Sequence, residues 1–260
     1  MIELDEYFWN NPPWGKGDEK YRLGLKPIEE KSWLNRKISK KLLNHKKNLL
    51  KKSYEKVIAT TDGSNEPQKI LAKIFNIKET FYPDLIAEIG LHIQDDLCLI
   101  EAHGEQRLIA ASVCSPSYWD LRKKIGKPLR DIHGPITTLN EKIGDRIEKF
   151  IKQAPVMRPF ARENWLIHGD TKRLHLKEEK CPSTHPSEWF IRSERETLCR
   201  FHENFSLFTI NVFFQPLKLV HSFPEARAGL IKSINKFDQE EADYFGGDRK
   251  IMLIKEYLQK

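Results

Sequence analysis

The sequence predicts an α+β fold in which helices at both ends of the chain flank one curled antiparallel sheet. Paired apolar segments around short polar turns mark the strands, segments of helical period with capping signals surround them, and no glycine fingerprint follows any strand. At 260 residues, 39% of them hydrophobic, the chain can bury a substantial core. It is read as one domain over 1–260 with an N-terminal helical extension over about 1–80.

Residues 1–30 mix aromatics, Pro and Gly without a period, which suits an extended lead-in packed by Tyr7, Phe8, Trp9 and Trp14. A helix is expected over about 33–58, where Leu34, Ile38, Leu42 and Leu49 recur at helical spacing and the lysines stay outside. TTDGSNEPQ (60–68) reads as a loop, with further helices around 68–76 and from near Pro83. LCLIEA and RLIAASVC around HGEQ predict one hairpin, and NWLIHGDTKRLHL predicts a second. WFIRSERETLCRF and FSLFTINVFF around HEN predict a third. Between the first two hairpins, Ser117 to Asp120 and Thr138 to Glu141 fit the box that opens a helix. Leu139, Ile143, Ile147, Phe150 and Ile151 give the second of these helices an apolar face, and helix returns from about 224.

Lys and Arg total 44 against 37 Asp and Glu, a net charge of +7, and much of that excess lies between Lys31 and Lys56. A solvated helix face, nucleic-acid contact and docking of an acidic protein all fit such a stretch. Lysines without interleaved aromatics or arginines favour the protein partner over nucleic acid. No apolar run reaches the roughly 20 residues that span a bilayer, and the first residues lack a leader pattern, so a cytoplasmic protein without a membrane partner is expected. Cys98, Cys114, Cys181 and Cys199 form no C-x-x-C pair and read as reduced thiols. His175, Cys181 and His185 match no common metal spacing. Phosphate-loop, dinucleotide, zincin and nucleophile-elbow motifs are all missing from the sequence.

Three stretches carry chemistry. In SPSYWDLRKKIGKPLRDIHGPI, Pro128 starts a short helical turn that ends at His133, and Gly134-Pro135 stops its continuation. A histidine mounted in this way is either structural or a metal ligand whose ring must be held in one plane. In MRPFARENWLI, Arg158 and Arg162 stand beside Asn164 and Trp165, as surface ion pairs or as a clamp for carboxylates. In IRSERETLCR, alternation puts Arg192, Glu194 and Glu196 on one face of a strand and Ser193, Arg195 and Thr197 on the other. Three ionisable groups in a row require water or a polar pocket.

Together with YRLGLKPIEEKSWL, HIQDDLCLI, FSLFTI and DYFGG, these stretches resemble the haem-dependent oxidative N-demethylase family, catalytic alpha subunit, over nearly the whole chain. The resemblance implies a PAS-like fold that holds haem b and its iron. It implies oxygen-dependent removal of a methyl group from a small secondary amine such as dimethylamine, with release of formaldehyde. Electrons would come from a separate flavin and iron-sulfur reductase, and self-association into a homo-oligomer is left open. A haem-binding PAS-type sensor, or a family member without catalysis, is the alternative. Carried onto this sequence, the resemblance makes His133 the axial iron ligand, with His92 and His103 as rivals. Arg162 and Arg192, with Trp119 and Trp165, would contact the cofactor, and Glu194 and Arg195 would act on the substrate side. Glu196 stands where the family usually has an amide, and Thr137 where it has a second proline.

Overall fold

The computed structural model describes residues 4–134, 139–177 and 181–259. Seven strands form one antiparallel sheet in the order β1-β5-β6-β7-β3-β4-β2. The HEN hairpin forms as expected from β6 (Phe190–His202) and β7 (Phe205–Pro216), the two longest strands, at the middle of the sheet. The HGEQ hairpin also forms, from β3 (Asp96–Glu101) and β4 (Leu108–Ser112). Its turn uses Gly104 and Gln106 at φ +65° and +55°.

The second expected hairpin does not form. Strand β5 (Phe160–His168) pairs with β6 along its whole length, from Phe160 opposite Leu198 to His168 opposite Phe190. The segment after it leaves the sheet, and His175 forms a bridge to Ser117. Turn residues are a short-range signal, whereas β6 offers β5 a long run of backbone partners that the short, charged KRLH segment cannot match.

The N-terminal segment supplies both edges of this sheet. β1 (Lys26–Pro27) pairs with β5 at one edge, and β2 (Ile58–Thr60) pairs with β4 at the other. Helix α1 (Glu6–Asn10) and the turn after it bury Trp9 and Trp14, but Tyr7 is 76% exposed and does not pack as expected. Helix α2 (Lys40–Val57) starts later than the sequence suggests, because Ser39 caps it by accepting from the Leu42 N–H. Its buried stripe is Leu42, Lys46, Leu50 and Val57, so one lysine of the basic run lies inside. That lysine sits over the ends of buried backbone, donating to the Gly90, Ile93 and Asp95 carbonyls at 2.9, 2.9 and 2.8 Å. Helices α3 (Asn65–Ile74) and α4 (Leu85–Leu91) follow, α3 beginning inside the stretch expected to be loop.

The Ser117 box opens no helix. Tyr118 takes φ +65°, which breaks the chain direction there, and Asp120 instead caps the single turn Leu121–Lys123. Pro128 does cap α5 (Leu129–Ile132), and His133 closes it. The box at Thr138 lies outside the described residues, and a π-helical turn (Asn140–Gly144) leads into α6 (Asp145–Gln153). Helices α7 (Pro224–Ile234), α8 (Gln239–Phe245) and α9 (Asp248–Gln259) complete the chain. Among the described residues no helix is long and apolar enough to cross a membrane.

Strand alternation gives the sheet two apolar faces. Leu97 and Leu99 pack with Ile86, Ile89 and Leu71 under α2 to α4, while Cys98 and Ile100 pack with Leu129, Ile151 and Leu198 under α5 and α6. A third cluster joins Trp9, Trp14, Trp165 and Trp189 to α7 to α9. Each fully buried side chain of this size contributes roughly 1.5–3 kcal/mol. The cavity described next lies on the α5 and α6 face.

Candidate functional site

The cavity has a volume of ≈ 280 Å³. Its apolar side is made by Leu25, Ile100, Leu108, Leu129, Ile151 and Phe208. The opposite wall is polar, and the alternation of two strands builds it. Arg192, Glu194 and Glu196 of β6 project from one face, and the β5 register sets Arg162 opposite Glu196 and Asn164 opposite Glu194. Lys20 and Tyr21, from the N-terminal segment, close this wall.

The charges on it are paired. Arg192, fully buried, donates Nε and Nη2 to Glu194 Oε1 at 3.1 and 2.8 Å, and Nη2 also reaches the Ser115 carbonyl at 2.6 Å. Glu194 Oε2 accepts from Asn164 Nδ2 at 2.9 Å, so both of its oxygens are engaged. Arg162 Nε faces Glu196 Oε2 at 3.1 Å but makes no hydrogen bond there. Burial pushes the Glu196 carboxyl up, against the pull of Arg162. Lys20 donates to Asn164 Oδ1 at 2.6 Å and to the Trp165 carbonyl. Burial lowers its ammonium to about 8, with Glu194 opposing the shift.

His133 lines the same cavity. Its backbone N–H donates to the Leu129 carbonyl, and Lys124 Nζ donates to the Ile132 carbonyl at 2.5 Å, so both sides of the turn that carries it are tied. Among the described residues its ring makes no hydrogen bond. Burial lowers its pKa to about 4, and the Lys124 and Arg162 cations add to the shift. At neutral pH the imidazole is therefore uncharged and has a lone pair to offer, which is the state that ligates a metal.

Of the expected site residues, His133, Trp119, Arg162, Arg192 and Glu194 share this cavity. Arg195 and Trp165 do not line it. Strand alternation turns Arg195 to the other face, where it donates to the Ser32 carbonyl at 2.5 Å and lines a second cavity of ≈ 730 Å³. Trp165 is 3% exposed and packs edge-on to Trp14 and Phe245, each at 5.4 Å, for the same reason. His92 is paired with Glu88 at 3.5 Å and His103 with Arg200 at 2.8 Å, and neither lines the cavity. No group of three His, Cys, Asp or Glu among the described residues could hold a bare metal ion. Lys20, Tyr21 and Lys124 were not among the expected residues, and Tyr21 opens the YRLGLKPIEEKSWL segment. On the flank of the cavity, Ser117 Oγ meets His168 Nε2 at 3.1 Å and the Tyr118 ring stacks on His168 at 5.0 Å.

The surroundings fit a haem. That group needs a neutral axial nitrogen, an apolar slot for its macrocycle and cations for its carboxylates, and His133, the α5 and α6 side and the arginine-bearing wall are of those kinds. The sequence model of the family described as haem-dependent oxidative N-demethylase, alpha subunit-like, matches residues 39–250. The chain belongs to this family. No curated protein matches the sequence. The family match includes His133, every β5 and β6 residue of the polar wall and the α5 turn, while Lys20 and Tyr21 precede it.

Proposed function

We propose that this protein is a haem-dependent oxidative N-demethylase subunit that removes a methyl group from a small secondary amine of the dimethylamine type, using O2 and releasing formaldehyde. The observation that carries the reading is a neutral imidazole, His133, without a hydrogen bond among the described residues and lining an apolar cavity in a chain of this family. The fold reading that accompanies it is a PAS-like domain holding haem b.

Haem bound in the cavity would supply the oxygen chemistry that side chains alone lack. His133 presents the ligating nitrogen, and α5, tied through Lys124, fixes where that nitrogen points. The apolar side keeps water from the reacting methyl group. Glu194 is proposed as a positioning residue. With both oxygens taken by Arg192 and Asn164, it holds those two groups rather than binding an ammonium alone. Trp119 is proposed to pack against the cofactor. Electrons come from a separate reductase protein carrying flavin and an iron-sulfur cluster, in keeping with a family named for its alpha subunit, and the protein acts in the cytoplasm.

The test is spectroscopic and then chemical. Haem added to the purified protein should give a Soret band that His133→Ala abolishes. With a reductase and O2 present, dimethylamine should then yield formaldehyde. A protein whose haem spectrum is unchanged in His133→Ala has another axial ligand, and the reading fails.

A further inference from the structure

The polar wall carries more donors than it uses. Four cationic side chains line the cavity, Lys20, Lys124, Arg162 and Arg192, against two carboxylates, Glu194 and Glu196. Both carboxylates already face arginines, and burial favours the neutral form of Glu196, so the excess is positive. Among the described residues, the buried donors Tyr21 Oη and Arg192 Nη1 have no partner, and Arg162 Nε, ion-paired with Glu196 Oε2 at 3.1 Å, makes no hydrogen bond. Tyr21 is 7% exposed and burial raises its pKa, so it stays a phenol that can donate. Lys20, also 7% exposed, uses two of its three N–H groups, on Asn164 and on the Trp165 carbonyl.

An unfilled buried donor costs about 1–3 kcal/mol, and several around one hollow point to a ligand rich in acceptors. Arg162 and Arg192 stand opposite Glu196 and Leu166 in the ladder. Their backbones are therefore roughly 13 Å apart along the strands, and no single small group bridges both. Lys20 sits between them, held over Asn164. We propose that Lys20 and Tyr21, flanked by Arg162 and Arg192, form a binding subsite for a carboxylate. Resting on the demethylase reading, this names the substrate class as a methylated amine that also bears a carboxylate, an N-methyl amino acid, since a bare ammonium would meet surplus positive charge. The same chemistry is present in a haem propionate, and the two sources are separable.

Calorimetric titrations of the full-length protein, with and without haem, would compare N-methylglycine (sarcosine), a secondary amine, with dimethylammonium. N-methylglycine is expected to bind at least tenfold tighter, and Tyr21→Phe and Lys20→Met should each remove most of that preference. Tyr21→Phe removes a buried donor that has no partner among the described residues, so its Tm should equal or exceed that of wild type and loss of binding cannot be ascribed to misfolding. If the two amines bind alike, affinities for haem and for haem dimethyl ester decide. A penalty for esterification in wild type that vanishes in Tyr21→Phe assigns the subsite to a propionate. Indifference of both the amines and the haem pair to these variants overturns the subsite. A protein that selects N-methylglycine but gives no Soret band keeps the subsite and loses the haem reading.

Discussion

Three lysines are buried among the described residues, Lys20, Lys46 and Lys250, and the first two are buried in different ways. Lys46, 1% exposed, places all three N–H groups on the Gly90, Ile93 and Asp95 carbonyls. Lys20, 7% exposed, places two, and the cavity it lines also holds donors on Tyr21 and Arg192 that have no partner among the described residues. Burial lowers the pKa of both ammoniums. The difference is in satisfaction: a buried cation whose donors are all taken is a piece of the scaffold, and one with a donor to spare belongs to a site. The histidines differ by position rather than by satisfaction. His168, with no exposure, is stacked under Tyr118 and bonded through Nε2 to Ser117, with Nδ1 buried and without a partner among the described residues, while His133 lines the cavity.

The sharpest way to break this comparison is to remove each lysine. Lys46→Met strands three buried carbonyls and should lower the unfolding free energy by at least ~3 kcal/mol, read from urea midpoints. Lys20→Met strands two acceptors but relieves excess positive charge, and should cost about 1–2 kcal/mol. Equal losses would mean that Lys20 is also scaffold.

Smaller effects follow from pH. Lys20 binds its proton less well folded, at about 8, than at its ordinary value of 10.5. Between those values the unfolded chain holds more protons, so wild-type stability relative to Lys20→Met should rise as pH climbs from 8 to 10.5. His133 behaves likewise lower down, with a folded value of about 4 against 6.5. Its contribution is complete above 6.5 and is lost as pH falls toward 4, so His133→Gln should flatten the stability profile in that window. An unchanged slope in urea midpoints taken from pH 4 to pH 7 would show that the ring titrates normally. Tyr21→Phe should cause no loss and stabilise the fold by up to ~1 kcal/mol, because its buried hydroxyl has no partner among the described residues.

Much of the architecture could be read locally. The HGEQ and HEN hairpins and the mounting of His133 between Pro128 and Gly134 depend on turn residues, alternation and capping, all of which are written within a few positions. The same alternation placed Arg192, Glu194 and Glu196 together before any coordinates, and it also explains why Arg195 and Trp165 face away from the cavity. The NWLIHGDTKRLHL hairpin failed because pairing is a competition, and β6, distant in sequence, outbid the neighbouring segment for β5. Lys46 was hidden for a related reason. Helical period marked its face as inward, but the three carbonyls that make a lysine tolerable there come from residues more than 40 positions away.

By itself, then, the sequence determined most of the helices, the two true hairpins, the family and the mounting of His133, since each depends on short-range stereochemistry or on ordered motifs along the chain. Only the tertiary structure decided which strand β5 would join, which buried cations would be satisfied, and that Lys20 and Tyr21 would share a cavity with His133. Those outcomes turn on desolvation and on partners far apart in the chain, and such quantities exist only once the backbone has closed around a cavity.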